Sequence, residues 1–284
     1  MSAIETPSGK GRGDENFPVA SRLIAPGLRG HVLAYYGFAR AADDIADNPG
    51  LAPDDKLARL DRLGAGLRGE AGDVPVANRL RASLLATDVP LARGLDLLTA
   101  FKQDAVKARY ADWAELVGYC RYSANPVGRF LLDLHREPAA ARPLSDALCT
   151  ALQILNHLQD LAEDYRRLDR VYLPESWLTE AGIGVAALGA GRAEPPLRRV
   201  IDRALDGVGE LLPDARALPA HLTDRRMAME AAAIAELAHA LHARLRRQDP
   251  LAERVALSKP AKLWVAGRGA LSVLRRPSPV PENA

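Results

Sequence analysis

From residue 28 to residue 47 the apolar positions recur at helical spacing. Ala34, Phe38, Ala41, Ala42 and Ile45 share one side, and Arg29, Tyr36, Arg40, Asp43 and Asp47 fall near one line on the other. Asn48-Pro-Gly50 ends this helix. The pattern returns at residues 144–167. There Ile154, Leu155, Leu158, Leu161 and Leu168 face one way, and Gln153, Asn156, Asp160, Asp164 and Arg167 the other. Further helices are predicted at 19–24, 53–67, 74–87, 91–109, 111–128, 130–135, 177–191 (with a Gly-rich loop), 196–212 and 221–248. Asn125-Pro126 must break or kink the 111–128 helix, 138–143 is a loop, and 169–174 is extended. No stretch alternates with period two and no solenoid-length repeat occurs, so the fold class is all-α in one domain.

The two long amphipathic helices each carry Asp-x-x-x-Asp on the polar face. Carboxylates four apart repel on a bare helix, by a few tenths of a kcal/mol. A hard divalent cation relieves that repulsion. Magnesium takes one or two carboxylates, keeps some waters and shares its other positions with phosphate oxygens. Arg40, one turn before Asp43, is placed to grip the same phosphate. Two solvated acidic faces would show the same spacing, but the regular Gln153, Asn156 and Arg40 positions fit a shared cavity better.

Composition narrows the classes. Hydrophobic residues make up 48% of 284, ample for a core, and a net charge of +2 argues for no nucleic-acid partner. Cys120 and Cys149 lack metal-ligand spacing and suit a reducing cytoplasm. Residues 1–13 read as disordered, with neither a signal-peptide core nor Walker spacing, and no run reaches membrane-spanning length. Residues 254–276 hold six basic residues and no acidic ones, interleaved with Leu257, Leu263, Trp264, Val265, Leu271, Val273 and Leu274. That composition suits a helix lying on anionic lipid at the inner face of a membrane, and equally a basic helix packed on the bundle. The last residues, 271–284, read as loose.

Tyr36-Gly-Phe-Ala-Arg-Ala-Ala-Asp43-Asp-Ile-Ala-Asp47, Tyr119-Cys-Arg-Tyr, Val127-Gly128, Gln153-x-x-Asn156-x-x-x-Asp160-x-x-x-Asp164 and Arg170-Val-Tyr-Leu-Pro174, in this order, resemble the squalene/phytoene synthase family over roughly residues 14–270. The resemblance implies an all-α prenyl-synthase bundle around a central cavity. It implies Mg2+ on Asp43, Asp47, Asp160 and Asp164 with Asn156 beside them. Arg40 and Tyr36 would lie by the diphosphate and Tyr119 near the reacting carbons. Gln153 and Tyr172 would belong to the substrate site.

Three departures from the family pattern narrow the expectation: Asn16-Phe17, Ala124-Asn125-Pro126-Val127-Gly128, and Gln159 where the family has arginine. They resemble the bacterial hopanoid branch, in which presqualene diphosphate, received from presqualene diphosphate synthase, is quenched with water to hydroxysqualene. Neutral Gln159 fits a site handling one diphosphate rather than two. Asn16, Asn125 and Gln159 are candidates to orient the water. The rival activities are condensation of farnesyl diphosphate to presqualene diphosphate or squalene, and phytoene synthesis. A di-metal carboxylate bundle would need Glu-x-x-His pairs, which are absent.

Overall fold

Proline and short polar caps set most of the helix starts. The computed structural model describes residues 23–275. Its helices are α1 (Pro26–Ala46), α2 (Pro53–Arg68), α3 (Pro75–Thr87), α4 (Ala92–Val106), α5 (Trp113–Ser123), α6 (Asn125–Leu134), α7 (Arg142–Gln159), α8 (Leu161–Leu168), α9 (Glu175–Glu180), α10 (Pro195–Ala217), α11 (Arg225–Leu245) and α12 (Lys259–Leu274). Proline occupies the first turn of α1, α2, α3, α6, α7, α10 and α12, where its missing N–H costs nothing. Asp112, Asp224 and Ser258 cap α5, α11 and α12 through side-chain oxygens.

Two apolar clusters form the core. One gathers Phe38 and Ile45 of α1 with Leu60, Leu63, Leu80 and Leu97 of α2–α4. The other gathers α5, α7, α10 and α11 around Leu116, Leu155, Leu158, Ile201, Leu205 and Ala238. Helix α6 brings the two together at its joint with α7. A Cβ on Gly128 would run into Ser145 Oγ and Cys149 Sγ, so only glycine lets the two helices approach this closely.

Several boundaries differ from the sequence expectation. The predicted 19–24 helix falls mostly outside the described residues, and α1 starts at Pro26. Helix α10 continues through Pro213 because Leu212 and Ala215 are both buried against the core, and one lost ladder bond does not outweigh that packing. The expected 144–167 helix is two helices with a kink at Asp160 (φ −103°, ψ 11°). The ladder is kept on both sides of the kink, with Asp160 N donating to Asn156 O and Asp164 N to Asp160 O, at 3.0 and 2.8 Å.

The extended stretch after α8 is not a strand of any sheet. It lies along residues 108–111 through Val171 N to Ala108 O, Glu175 N to Tyr110 O and Ser176 N to Ala111 O. Tyr110 and Pro174 form an isolated parallel bridge.

Candidate active site

Helix α1 supplies the first wall. Tyr36, Arg40, Asp43 and Asp47 recur at spacings of four, three and four, which keeps them on one face. Arg40 donates to Asp43 Oδ2 at 2.8 Å and to Asp44 Oδ1 at 2.7 Å. The guanidinium expected to grip phosphate is thus also the internal counter-charge of the acidic row. Asp44 itself is buried on the core side, where that bond satisfies it.

The second wall is α7 and α8, carrying Gln153, Asn156, Asp160 and Asp164. The Gln153 amide lies 3.2 Å from His157 Nε2. Arg167, which the helical pattern places on the same face, pairs instead with Glu163 at 2.9 Å.

Arg170 joins the walls. Asp169 takes a left-handed conformation (φ 48°) that ends α8 and turns the chain inward. Buried Arg170 then donates to Asp47 Oδ1 at 3.0 Å, to the Asp104 carbonyl at 3.1 Å and to Tyr172 Oη at 3.3 Å. Its Nε stands 3.9 Å from Asp104 Oδ1, and Asp104 Oδ2 accepts from Tyr119 Oη at 2.8 Å. Tyr110, Tyr119 and Tyr172 lean on one another with centroids 5.4–5.9 Å apart, and His157 stacks on Tyr172 at 3.4 Å. This is a rigid aromatic wall beneath the charged groups.

The electrostatics follow from burial and crowding. Burial first, then the Asp47 charge, raise the Asp43 pKa to about 7 against the pull of Arg40. Asp164 is raised to about 7 by burial and Asp160, with Asp47 of the opposite wall adding to it. Burial takes Asp104 to about 7 as well, opposed by Arg170 and the Tyr119 bond. His157 falls to about 3 through burial and Arg170, so its imidazole is neutral near pH 7. Burial disfavours the Arg170 cation, yet Tyr172, Asp104 and Asp47 together hold its pKa above the ordinary value.

Do these residues fit Mg2+? Among the described residues no three His, Cys, Asp or Glu side chains form a ready cage. What exists is two acidic rows on opposite walls, close enough for Asp47 to raise Asp164. That donor set fits an ion taking one or two carboxylates and completing its shell with water and phosphate oxygen.

An apolar cavity of about 260 Å³ lies along α1 and shares Tyr36 with the face that carries Arg40, Asp43 and Asp47, although none of the four aspartates lines it. Tyr36 and Ala39 of α1, Val127 of α6, Leu152 of α7 and Met227 and Ile234 of α11 are among its lining residues. An apolar cavity next to charged walls suits an amphiphile with an anionic head.

Other sequence candidates go elsewhere. Gln159 is buried and donates to the Val255 carbonyl, tying α7 to the segment before α12. Asn125 is buried and accepts from Thr150 Oγ1 at 3.0 Å, lining a separate polar pocket with Arg129 and Asp146. Asn16 and Phe17 lie outside the described residues. Conversely, Arg170, Asp104, Tyr110 and His157 carry no role in the sequence expectation. Arg170 heads the Arg170-Val-Tyr-Leu-Pro174 motif without a role attached to it, whereas Asp104 leaves no local signal because its partners are 15 and 66 residues away.

Comparison with known proteins bears on this geometry. The squalene/phytoene synthase family profile matches residues 10–261. The hydroxysqualene synthase of Rhodopseudomonas palustris is 47% identical over 277 residues, covering 97% of this chain and 94% of that one. The 15-cis-phytoene synthase of a Paracoccus species is 31% identical, covering 93% and 89%. The crystal structure of a squalene synthase from Alicyclobacillus acidocaldarius superposes with a TM-score of 0.72 at 33% identity, over 81% and 87% of the two chains. With two acidic rows beside an apolar cavity and a family profile spanning most of its length, the chain belongs to the squalene/phytoene synthase family.

Proposed function

We propose that the chain converts presqualene diphosphate and water into hydroxysqualene and diphosphate with the help of Mg2+. The observation that carries this reading is the pair of acidic rows close enough for Asp47 to raise Asp164, beside an apolar cavity that Tyr36 of the first row helps to line. The higher identity to a hydroxysqualene synthase (47%) than to a phytoene synthase (31%) supports the choice within the family.

Asp43 and Asp47 on one wall and Asp160 and Asp164 on the other would hold the metal, with Asn156 beside the second pair. Bound there, Mg2+ supplies Lewis-acid stabilisation of the departing diphosphate. Arg40 shares its guanidinium between Asp43, Asp44 and the diphosphate, and Arg170 keeps Asp47 aimed while its own charge stays buried. The carbon–oxygen bond breaks with its electron pair leaving on diphosphate. Tyr119 and Tyr172 are packed among Tyr110 and His157 and hold the Asp104 and Arg170 groups in place, and the apolar lining excludes bulk water. One water oxygen then bonds to carbon and its proton leaves to diphosphate or solvent.

Substrate and product are lipid-like, so handover from presqualene diphosphate synthase and a peripheral place on the cytoplasmic membrane face belong to the same proposal. The test is incubation with presqualene diphosphate in heavy-oxygen water, with and without NADPH. Label should enter a triterpene alcohol, unaffected by NADPH. Squalene formed only with NADPH, or turnover of farnesyl diphosphate alone, would move the assignment to the sister activities.

A further inference from the structure

Helix α12 has two faces. Gly269, Ala270 and Val273 are buried against α11, and a Cβ on Gly269 would stand 2.6 Å from the Ala232 carbonyl oxygen. This side is a close helix–helix seam. The other side is uncovered: Leu263 is 76% exposed, Trp264 66%, Leu271 56% and Leu274 45%. At 3.6 residues per turn these four fall within an arc of about 100°. They supply four of the seven large hydrophobic side chains exposed among the described residues, so the patch is concentrated on a single helix.

The border of the stripe is basic. Arg268 and Arg275 flank one edge and exposed Lys259 lies beyond the other, whereas Lys262 falls at the angle of Gly269 and Val273, on the α11 side. Arg268 is engaged by Glu236 at 2.7 Å and lies over the Trp264 ring at 5.1 Å. Lys259 and Arg275 have no carboxylate paired with them among the described residues. No helix of the described chain is long and apolar enough to cross a membrane. A short apolar stripe edged by unneutralised cations matches the headgroup region of an anionic bilayer, where apolar side chains enter the acyl boundary and cations meet phosphate.

We propose that α12 is a membrane-docking helix, with Leu263, Trp264, Leu271 and Leu274 inserting into an anionic phospholipid surface and Lys259 and Arg275 contacting its headgroups. The position of α12 connects that surface to the cavity. Helix α11 receives α12 at Ala232 and Ala233, and its neighbouring Ala231 and Ile234 line the apolar cavity. The segment leading into α12 is latched to the acidic wall, through Gln159 to Val255 and Arg254 at 3.7 Å from Asp160. A lipid-like substrate taken from the bilayer thus meets α12 beside the helix that walls the cavity. The docking surface rests on the proposed function only for this consequence.

The test is co-sedimentation of the full chain with vesicles of phosphatidylcholine alone and of phosphatidylcholine mixed with phosphatidylglycerol. Wild type should sediment with the anionic vesicles and be released by salt. The double variant Leu263→Ser/Trp264→Ser should lower partitioning about tenfold or more, because two inserting side chains are lost. Lys259→Glu/Arg275→Glu should do likewise on anionic vesicles only. All four positions lie outside the catalytic walls, so turnover of presqualene diphosphate in detergent should match wild type, which also reports an intact fold. Wild-type sedimentation by both variants, or no sedimentation of wild type, overturns the docking surface. A concentration-dependent dimer abolished by the Leu263/Trp264 variant without any vesicle binding overturns it too, in favour of a second copy. Vesicle binding with no detergent turnover leaves docking standing and counts against the proposed reaction instead.

Discussion

The two acidic rows share a spacing but are built differently. On α1 the helix runs unbroken through Asp43 and Ala46, and the row carries its own cation in Arg40. At α7–α8 the helix kinks at Asp160, and neutralisation arrives from outside the row, from Arg170 and from Arg254. The first row is compensated within one turn at Asp43 and Asp44, and only its last member, Asp47, takes a distant cation, Arg170. The second depends on two segments that reach it only in the folded chain. Equal spacing therefore does not mean equal dependence on tertiary structure. Asp43 should keep its geometry under perturbation, and Asp47 and the α8 row should be the more sensitive to loss of their distant partners.

The largest expected effect tests what the rows have in common. Asp43→Ala and Asp160→Ala should each lower turnover by about three orders of magnitude with the helical circular-dichroism signal kept. Near-normal rates in one variant alone would mean that a single row suffices. Next, Arg170→Met should cost about 3 kcal/mol in urea unfolding, because it leaves Asp47 and Asp104 without their shared buried cation. Arg40→Met removes a more exposed partner and should cost about 1 kcal/mol. Equal losses would erase the contrast between local and distant compensation.

A smaller effect is expected from pH and metal. Asp43, Asp104 and Asp164 have folded pKa values near 7, above the 3.8 of the free carboxyl. The folded metal-free protein therefore holds more protons than the unfolded chain across that interval. The stability these protons bring is full below about pH 4 and is lost as pH rises through about 7. Mg2+ needs the ionised carboxylates, so its gain in melting temperature over chelator should be a few degrees at about pH 8 and near zero at about pH 5. A gain independent of pH would place the ion elsewhere. The smallest effect separates packing from chemistry at Gln159. Gln159→Leu should cost about 1 kcal/mol by stripping the buried Val255 carbonyl of a donor, with the alcohol still the product. A shift of product from alcohol to hydrocarbon would instead make Gln159 part of the water-quenching machinery.

Much of the frame was legible from periodicity, because burial on one helix face imposes a 3.6-residue repeat that survives in any single sequence. Tyr36, Arg40, Asp43 and Asp47 on one line, the break before Pro126 and the extended run to Pro174 follow from such local rules. The kink at Asp160 did not, since the apolar repeat passes through it unaltered and the hydrogen-bond ladder is nearly kept. The continuation of α10 past Pro213 was hidden for the opposite reason, a local rule overridden by buried neighbours.

By itself the sequence determined the all-α class, the two carboxylate rows and, through its ordered motifs, the family. Those are properties of spacing along a helix, encoded within a turn or two. Tertiary structure alone decided which charge neutralises which: that Arg170 clamps Asp47 and Asp104, that Gln159 and Asn125 are bound into packing, and that α12 buries its small residues and leaves Leu263 and Trp264 outside. Such pairings depend on how helices far apart in the chain cross. An ion pair spanning 123 residues leaves no period for a sequence to show.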